Sequence, residues 1–181
     1  RKNIIRGVKT NTGTINCEYI VLCAGMWSRQ IGEAAGVSIP LYPNEHFYMV
    51  TENYKNLPNN LPTFRDPDTY LYIREYHKKI MIGIFEPKAK NAFKKKGIVP
   101  NNFSFGEFKV DRKYTKMLHS LAGKRIPQVK DLKIEKYFSG PESFTPDSNF
   151  LLGETAEIKN FYVCCGFNSI GIGSAGGAGK A

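Results

Sequence analysis

The sequence lacks several features that would assign it to a class at once. Its 181 residues include only four cysteines and three histidines, with no Cys-x-x-Cys and no histidine at a metal-ligating spacing, so no metal site is predicted. No apolar run approaches the ~20 residues that a membrane-spanning helix needs. No signal peptide is recognisable near Arg1, and no G-x-G-x-x-G follows a strand. We expect a chain outside the membrane whose thiols are buried and inert, in a reducing compartment.

Charge is the unusual bulk property. Twenty-six basic and 16 acidic residues give a formal net charge of +10, a balance that nucleic-acid binders also show. The one dense basic patch lies between a proline and a glycine and comprises Lys88, Lys90, Lys94, Lys95 and Lys96. Because no nucleic-acid-binding motif accompanies it, we predict a solvated loop and no nucleic-acid partner. A basic surface would also steer carboxylate substrates toward the protein.

Two distant segments share one pattern, a buried strand that ends in glycine and leads into a helix. The apolar run from Ile20 closes with Ala24-Gly25, a helix is predicted from Trp27 to Ala35, and Gly36 is its stop signal. Phe161–Cys165 is followed by Gly166 and a helix containing five glycines. Because glycine weakens a helix, five glycines need another explanation. We predict that the backbone of this helix closely approaches a flat ligand or a neighbouring strand. Ligands of α/β sheets bind at such strand ends, where helix N-termini present N–H groups.

The middle of the chain has a different character. Strands are predicted from Glu45 to Thr51, Tyr70 to Glu75 and Lys79 to Phe85, and prolines between them favour antiparallel pairing with loops. A helix is predicted from Tyr114 to Ala122, starting after Asp111 and ending near Gly123. Leu132 to Phe138 is a further predicted strand.

Three motifs resemble a known family. Ile20 to Ser28, IVLCAGMWS, resembles the AAG-x-W segment of the D-amino-acid-oxidase-like flavoproteins. Two motifs resemble the sarcosine and dimethylglycine dehydrogenase branch of that family: GPESFTPD from Gly140 with LGE from Leu152, and GFNS from Gly166 with SAGG from Ser174. The resemblance covers essentially the whole chain.

The resemblance implies an α/β fold with an α+β substrate lobe. Residues 1–38 and 141–181 would belong to a Rossmann-type FAD-binding lobe, the second stretch being truncated, and residues 39–140 would form an inserted substrate-binding lobe with an antiparallel sheet and a helix. FAD is the implied cofactor. The phosphate-binding glycine motif and the histidine that carries the flavin covalently in this branch would lie upstream, so a fragment that is inactive alone is expected. The residues expected to hold FAD are Ala24, Gly25, Trp27, Gly166, Phe167, Asn168, Ser169, Ile170, Gly171 and Ile172.

The resemblance also assigns catalytic roles. His46 and Tyr72 match a relay that handles the amine proton in dimethylglycine oxidase-like members. Amine oxidation by hydride transfer needs the neutral amine, which a base titrating near pH 7 helps to supply. From the residues themselves, Tyr48 and Arg74 are predicted to bind the substrate, and the Arg74 guanidinium would pair with the carboxylate of the substrate. Each residue also has a purely structural interpretation. His46 could be a surface or hydrogen-bonded core residue, and Tyr48 and Tyr72 could be aromatic residues that alternate along a sheet. Arg74 could form a surface salt bridge, and Trp27 could pack in the core.

The function implied is oxidation of the C–N bond of an N-methylated glycine, sarcosine or dimethylglycine, by hydride transfer to FAD. The product iminium would be hydrolysed or passed to folate on a further C-terminal domain, and the electron acceptor stays open. The expected compartment is the cytoplasm or the mitochondrial matrix. The alternative is a non-catalytic regulatory homologue, since several motifs also resemble the regulatory subunit of pyruvate dehydrogenase phosphatase.

Overall fold

The structure, a computed structural model, describes residues 3–94 and 97–181, so Lys95 and Lys96 of the predicted basic loop lie outside the described residues. Among these residues no helix is long and apolar enough to cross a membrane. The strands and helices in chain order are β1 (Asn3–Ile4), β2 (Gly7–Thr10), β3 (Gly13–Asn16), β4 (Ile20–Leu22), α1 (Ser28–Ala34), β5 (Tyr42–Thr51), β6 (Phe64–Asp66), β7 (Leu71–Tyr76), β8 (Lys79–Ile84), α2 (Arg112–Arg125), β9 (Ile134–Phe144), β10 (Leu151–Glu154), β11 (Ile158–Lys159), β12 (Phe161–Cys165) and α3 (Gly171–Lys180).

The chain forms two compact units. The first takes in the chain up to Asn44 together with Asn91–Phe103 and Glu142–Ala181, and the second comprises Glu45–Lys90 and Ser104–Pro141. The mixed α/β content agrees with the fold class predicted from the sequence.

In the first unit, the two strands predicted to end in glycine are neighbours. Strand β12 lies between β10 and β4, antiparallel to β10 and parallel to β4, with Val163 opposite Leu22. Parallel neighbours end at the same edge of a sheet, so the turns at Gly25 and Gly166 follow strands that finish side by side. Helix α1 follows the first turn and ends at Ala34, and Gly36, two residues later, has a φ of +82°, the left-handed conformation typical of the position after a helix.

Only one face of this sheet is buried by the described residues. Leu22, Phe161 and Cys165 face the core, whereas Val21 is 61% exposed. The continuous apolar run predicted burial on both faces, and the structure corrects this because nothing in the described chain covers the Val21 side. The same correction applies to the thiols, since Cys165 is buried but Cys23 on the open side is exposed.

The second unit is built on a five-stranded sheet in the order β6-β7-β8-β5-β9. Strands β6, β7, β8 and β5 pair antiparallel, as the proline-separated pattern predicted. Strand residues alternate between the two faces of a sheet. One face packs apolar side chains against Leu118 of α2, and the buried residues on this face include Phe47, Met49, Leu71, Ile73, Ile82 and Ile84. The other face carries His46, Tyr48 and Tyr72.

Helix α2 begins where the sequence predicted and ends later. The Oδ1 atom of Asp111 accepts a hydrogen bond of 2.8 Å from the Lys113 N–H and caps the N-terminus. The sequence predicted an end near Gly123, and α2 ends two residues later, at Arg125. Gly123 is buried in the helix interior, where a Cβ would press against the aliphatic part of the Lys130 side chain. Close packing against Lys130, rather than helix termination, thus explains why a glycine occupies position 123.

Candidate active site

The structure brings His46 and Tyr72 into contact. His46 lies on β5 and Tyr72 on β7, with β8 between them. The His46 Nε2 and Tyr72 Oη atoms are 2.9 Å apart, a hydrogen-bond distance, and the two ring planes are nearly parallel, with an interplanar angle of 16°. Phe85 completes the cluster, with its centroid 4.7 Å from that of His46 and 5.3 Å from that of Tyr72. Two residues that are 26 positions apart in the sequence therefore share one polar contact on an aromatic surface.

A glycine on the intervening strand makes this contact possible. Gly83 lies opposite Tyr72 on one side and opposite Tyr48 on the other. A Cβ at this position would overlap the ring and hydroxyl atoms of Tyr72. The phenol therefore crosses β8 through the space that the missing side chain leaves. Sequence reasoning did not single out Gly83, although a glycine inside an apolar strand is a known signal of close approach.

Burial sets the protonation of His46. Desolvation lowers the pKa of His46 from its ordinary 6.5 to about 4, so the imidazole is neutral near pH 7. The sequence-based expectation was a base titrating near pH 7, and the difference arises because β7, β8 and Phe85 exclude water from the ring. A neutral imidazole has one accepting and one donating nitrogen. The His46–Tyr72 contact therefore contains one proton whose position depends on the histidine tautomer.

The two predicted substrate-binding residues lie on the same face but in different surroundings. Tyr48 stacks on Phe138 with centroids 4.8 Å apart. The Arg74 Nε donates to the Met81 sulfur at 3.3 Å, and its guanidinium carbon lies 5.3 Å from the Tyr76 centroid. Arg65, which sequence reasoning did not single out, has its guanidinium carbon 5.1 Å from the centroid of Phe85.

A second group of predicted residues lies at the strand ends of the first unit. Ala24, Gly25 and Trp27 line an open cavity of about 870 Å³. Gly25 has a φ of +53°, which a glycine adopts without strain, and no other heavy atom lies within 4 Å of the place of a Cβ. Trp27 is 40% exposed, so core packing does not explain this side chain.

The turn after β12 is held by Asn168. Its Oδ1 accepts a hydrogen bond of 2.9 Å from the Thr145 N–H, and its Nδ2 donates to the Gly166 carbonyl at 2.6 Å. The Thr-Pro-Asp motif is thereby tied to the glycine-ended strand. Asn168 and Ser169 both have positive φ, +48° and +72°. Two successive non-glycine residues in the left-handed region cost energy, and such strain concentrates at functional sites.

Helix α3 presents backbone rather than side chains. Its N-cap residue, Ile170, makes no side-chain capping bond, so the first-turn N–H groups of Gly171, Ile172 and Gly173 have no cap from it and suit acceptor atoms of a ligand. A Cβ at Gly173, Gly176, Gly177 or Gly179 would meet no other heavy atom of the described chain within 4 Å. Phe167 stacks on Phe150 beside the helix, with centroids 5.0 Å apart. The uncapped N–H groups and the glycine surface of α3 could accept a flat ring that carries hydrogen-bond acceptors.

Two carboxyl groups missed by sequence reasoning have raised pKa values. Burial, assisted by the nearby Glu45 carboxylate, raises the pKa of Glu86 to about 7. Burial also raises the pKa of Glu142, which a hydrogen bond to Ser169 lowers in part. The sequence shows the motif that contains Glu142 but not how far this side chain is buried. A raised pKa that depends on burial therefore could not be predicted from the sequence. Among residues 3–94 and 97–181, no three metal-ligating side chains cluster.

Comparison with known families decides the assignment. The family model described as FAD dependent oxidoreductase, DAO, matches residues 1–181. The chain belongs to the DAO family. The match agrees with the glycine-ended parallel strands and with the exposed backbone of α3, and FAD is the cofactor of this family.

The relatives of this DAO-family chain include an oxidase, a dehydrogenase and a regulatory subunit, all of them much longer than the chain. It is 34% identical over 178 residues to 4-methylaminobutanoate oxidase (formaldehyde-forming) of Paenarthrobacter nicotinovorans, covering 98% of the chain and 21% of the relative. It is 36% identical to mitochondrial sarcosine dehydrogenase of Homo sapiens, covering 97% and 19%. It is also 36% identical to the mitochondrial pyruvate dehydrogenase phosphatase regulatory subunit of Mus musculus, covering 99% and 20%. The chain thus spans about a fifth of the length of these relatives.

A solved structure shows the same fold. The L-proline dehydrogenase of P. horikoshii superimposes with a TM-score of 0.75 at 25% identity, over 94% of this chain and 43% of that one. The DAO-family chain therefore has the fold that the motifs in its sequence implied.

Proposed function

We propose that the complete protein oxidises the C–N bond of an N-methylated amino acid of the sarcosine or dimethylglycine type by hydride transfer to FAD. The observation that carries the proposal is the His46–Tyr72 hydrogen bond beside Phe85, in a chain of the DAO family. Support for the substrate class comes from relatives named sarcosine dehydrogenase and 4-methylaminobutanoate oxidase.

The chemistry needs a neutral amine, and the surroundings of His46 favour one. FAD, when bound, supplies the hydride acceptor. The same desolvation that lowers the pKa of His46 lowers the pKa of an ammonium group bound beside it, because both are cationic acids. An N-methyl ammonium therefore releases its proton more readily here than in water. The Tyr72 hydroxyl then hydrogen-bonds the amine, and the hydrogen bond with His46 fixes the orientation of that hydroxyl.

The residues suited to bind FAD lie in the turns that follow the two glycine-ended strands, β4 and β12. Ala24, Gly25 and Trp27 would contact the cofactor from the first turn, and the loop from Gly166 with the first turn of α3 would contact it from the second. The uncapped N–H groups at Gly171, Ile172 and Gly173 would stabilise negative charge on the ring.

The regulatory alternative is not favoured. The chain is as similar to sarcosine dehydrogenase as it is to the phosphatase regulatory subunit, so sequence identity does not favour the regulator. The family model that matches the chain is one of oxidoreductases. A regulator would not need a histidine and a tyrosine hydrogen-bonded on an aromatic surface.

The test is anaerobic reduction of the complete, FAD-loaded protein. Sarcosine and dimethylglycine are added separately, and bleaching of the flavin absorbance is followed by stopped flow. Tyr72→Phe and His46→Gln should slow reduction by about 10²-fold, because each removes the hydrogen bond that orients the amine for reaction. Tyr76→Phe, which removes an exposed hydroxyl from the end of the same strand, serves as control. Absence of bleaching with both amines would refute the proposal.

A further inference from the structure

We propose that Cys23 and Cys164 form a dithiol site, which a hydroperoxide oxidises to a reversible disulfide between neighbouring strands. Cys164 is the fourth residue of β12, and Cys23 directly follows β4. These two strands pair in parallel, with Val163 opposite Leu22. The same register, continued by one residue, sets Cys164 opposite Cys23. The inference concerns a modification site and does not depend on the proposed function.

Both thiols belong to the open face of the β10-β12-β4 sheet. Successive strand residues alternate between faces, so Cys23 lies on the same face as Val21, which is 61% exposed. Cys164 lies on that face too, because the neighbouring Cys165 is buried in the core on the other side. Cys23 is exposed and Cys164 is half-buried. The two side chains therefore leave the sheet in the same direction, and solvent reaches Cys23.

The spacing of the two strands suits a disulfide. Neighbouring strands lie about 4.8 Å apart, and disulfides join residues whose Cα atoms are about 4.4–6.8 Å apart. The two side chains also interact: burial raises the pKa of the Cys164 thiol, and the charge of Cys23 and a hydrogen bond with its side chain raise that pKa further. Bond formation therefore requires rotation of two side chains and no change in the strand pairing.

Cys23 is the thiol that a small oxidant reaches first. It lines the open cavity of about 870 Å³ together with Ala24, Gly25 and Trp27. Oxidation of thiols follows their exposure, which favours Cys23 over its half-buried neighbour. The buried Cys165 faces the core and takes no part.

The reaction consumes one hydroperoxide and releases two molecules of water when the oxidant is hydrogen peroxide. The Cys23 sulfur attacks one peroxide oxygen, the O–O bond breaks, and water leaves with the thiol proton, which gives a sulfenic acid. The Cys164 sulfur then attacks the Cys23 sulfur, the S–O bond breaks, and the Cys164 proton leaves with the hydroxide as the second water. The two thiols lose two electrons in total and the peroxide gains them. Exposed disulfides are readily reduced, so a dithiol reverses the modification.

The experiment uses the complete protein, which is reduced with dithiothreitol, freed of the reductant and treated with a small excess of hydrogen peroxide. Remaining thiols are alkylated, and tryptic peptides are analysed by mass spectrometry without reduction. Cleavage after lysine and arginine leaves Cys23 in peptide 10–29 and Cys164 in peptide 160–180. A disulfide between the strands therefore joins these two peptides.

Four variants identify the sulfur atoms, because each peptide holds a second cysteine, Cys17 in the first and Cys165 in the second. We expect the joined peptides in wild type, Cys17→Ser and Cys165→Ala, and their loss in Cys23→Ser and Cys164→Ser. Dithiothreitol should restore both thiols. Unfolding in urea before oxidation should slow the cross-link by about tenfold or more, because the strands no longer raise the effective concentration of one thiol at the other.

Phenylarsine oxide gives a second measurement that needs no oxidant. Its arsenic atom bonds both thiols of a close pair and releases one water, and the second bond strengthens binding by about 10²- to 10⁴-fold. We expect Cys23→Ser and Cys164→Ser each to raise its Kd by about 100-fold or more. Cys17→Ser should bind it as wild type does.

Several results would overturn the inference. A folded wild-type protein that gives no cross-link refutes it even if phenylarsine oxide binds, since closeness without oxidation is not the proposed reaction. A cross-link that persists in Cys23→Ser assigns the bond to Cys17, and equal cross-linking in urea shows that the fold does not create the pair. Arsenical binding that is the same in wild type and Cys23→Ser shows that the two thiols are too far apart. None of these measurements uses an amine substrate, so the inference and the proposed function succeed or fail separately.

Discussion

At the scale of single residues, the buried His46 makes stability depend on pH. Its pKa is about 4 in the folded protein and about 6.5 in the unfolded chain, so the unfolded chain takes up a proton first as the pH falls. Stability contributed by the neutral ring is complete above about pH 6.5 and is lost as the pH falls toward 4. We expect wild type to lose about 2 kcal/mol more than His46→Gln between pH 7 and pH 4.5, measured by urea unfolding of the complete protein.

The control for this titration is His77→Asn. His77 lies at an exposed turn and has a φ of +51°, which asparagine tolerates. This variant should retain the pH dependence of wild type. Equal slopes for wild type and His46→Gln would contradict a buried, neutral His46.

Gly83 offers a residue-scale test of how Tyr72 is positioned. Gly83→Ala places a methyl group where the Tyr72 ring lies, so we expect a loss of about 1–3 kcal/mol in stability from overpacking. Flavin reduction should slow as in Tyr72→Phe, since the phenol is pushed away from His46. In a Tyr72→Ala background the same substitution should cost less than about 0.5 kcal/mol, because its clash partner is gone. An equal cost in both backgrounds, from a double-mutant cycle, would show that the clash is elsewhere.

The residues of this site differ in how far sequence could predict them. His46 and Tyr72 were identified through motif resemblance, and the structure brings them within 2.9 Å of each other. Their catalytic roles stay predictions. The sequence could not give the pKa of His46, because that value depends on burial by β7, β8 and Phe85.

At the scale of elements, α3 allows helix propensity to be separated from ligand contact. Gly177→Ala should stabilise the FAD-free complete protein by about 0.5–1 kcal/mol, since alanine favours a helix over glycine and nothing in the described chain obstructs the methyl group. The same methyl group should weaken FAD binding by about tenfold or more if the ring lies against this backbone, a loss of about 1.4 kcal/mol. Thermal unfolding with and without FAD measures both effects.

Ala178→Gly is the matched control for α3. It weakens the same helix by about 0.5–1 kcal/mol but adds no atom to its surface, so FAD affinity should change far less than in Gly177→Ala. A Gly177→Ala protein that binds FAD as wild type does would show that the ring lies elsewhere and would leave the five glycines unexplained.

Sequence patterns predicted elements well where the signal was local. Strand β12 was predicted with its observed bounds, and the antiparallel strands β5, β7 and β8 were predicted within a few residues. Strands β6 and β10 were missed because three- and four-residue strands have too little periodicity to stand out. The end of α2 was predicted near Gly123 and lies at Arg125. Glycine is typical both of helix ends and of close packing, and the contact with Lys130 indicates close packing at Gly123.

At the scale of the whole molecule, the open face of the β10-β12-β4 sheet predicts how the 181-residue chain behaves alone. Tyr19 and Val21 on this face are 60% and 61% exposed, and the relatives are about five times longer than the chain. We expect residues 1–181, expressed alone, to bind a hydrophobic dye and to retain less FAD per protein after gel filtration than the complete protein.

Val21→Lys tests the reason for this difference. In the isolated chain the substitution adds charge to an open apolar face, so dye binding and self-association should decrease while the free energy of unfolding changes by less than about 0.5 kcal/mol. In the complete protein, the same lysine should cost about 1–3 kcal/mol if another segment covers the face, because a charge would then be buried beside apolar atoms. Equal and small effects in both proteins would show that this face stays open to solvent, and FAD retention by the isolated chain at the level of the complete protein would show that the strands and helix described here suffice to hold the cofactor.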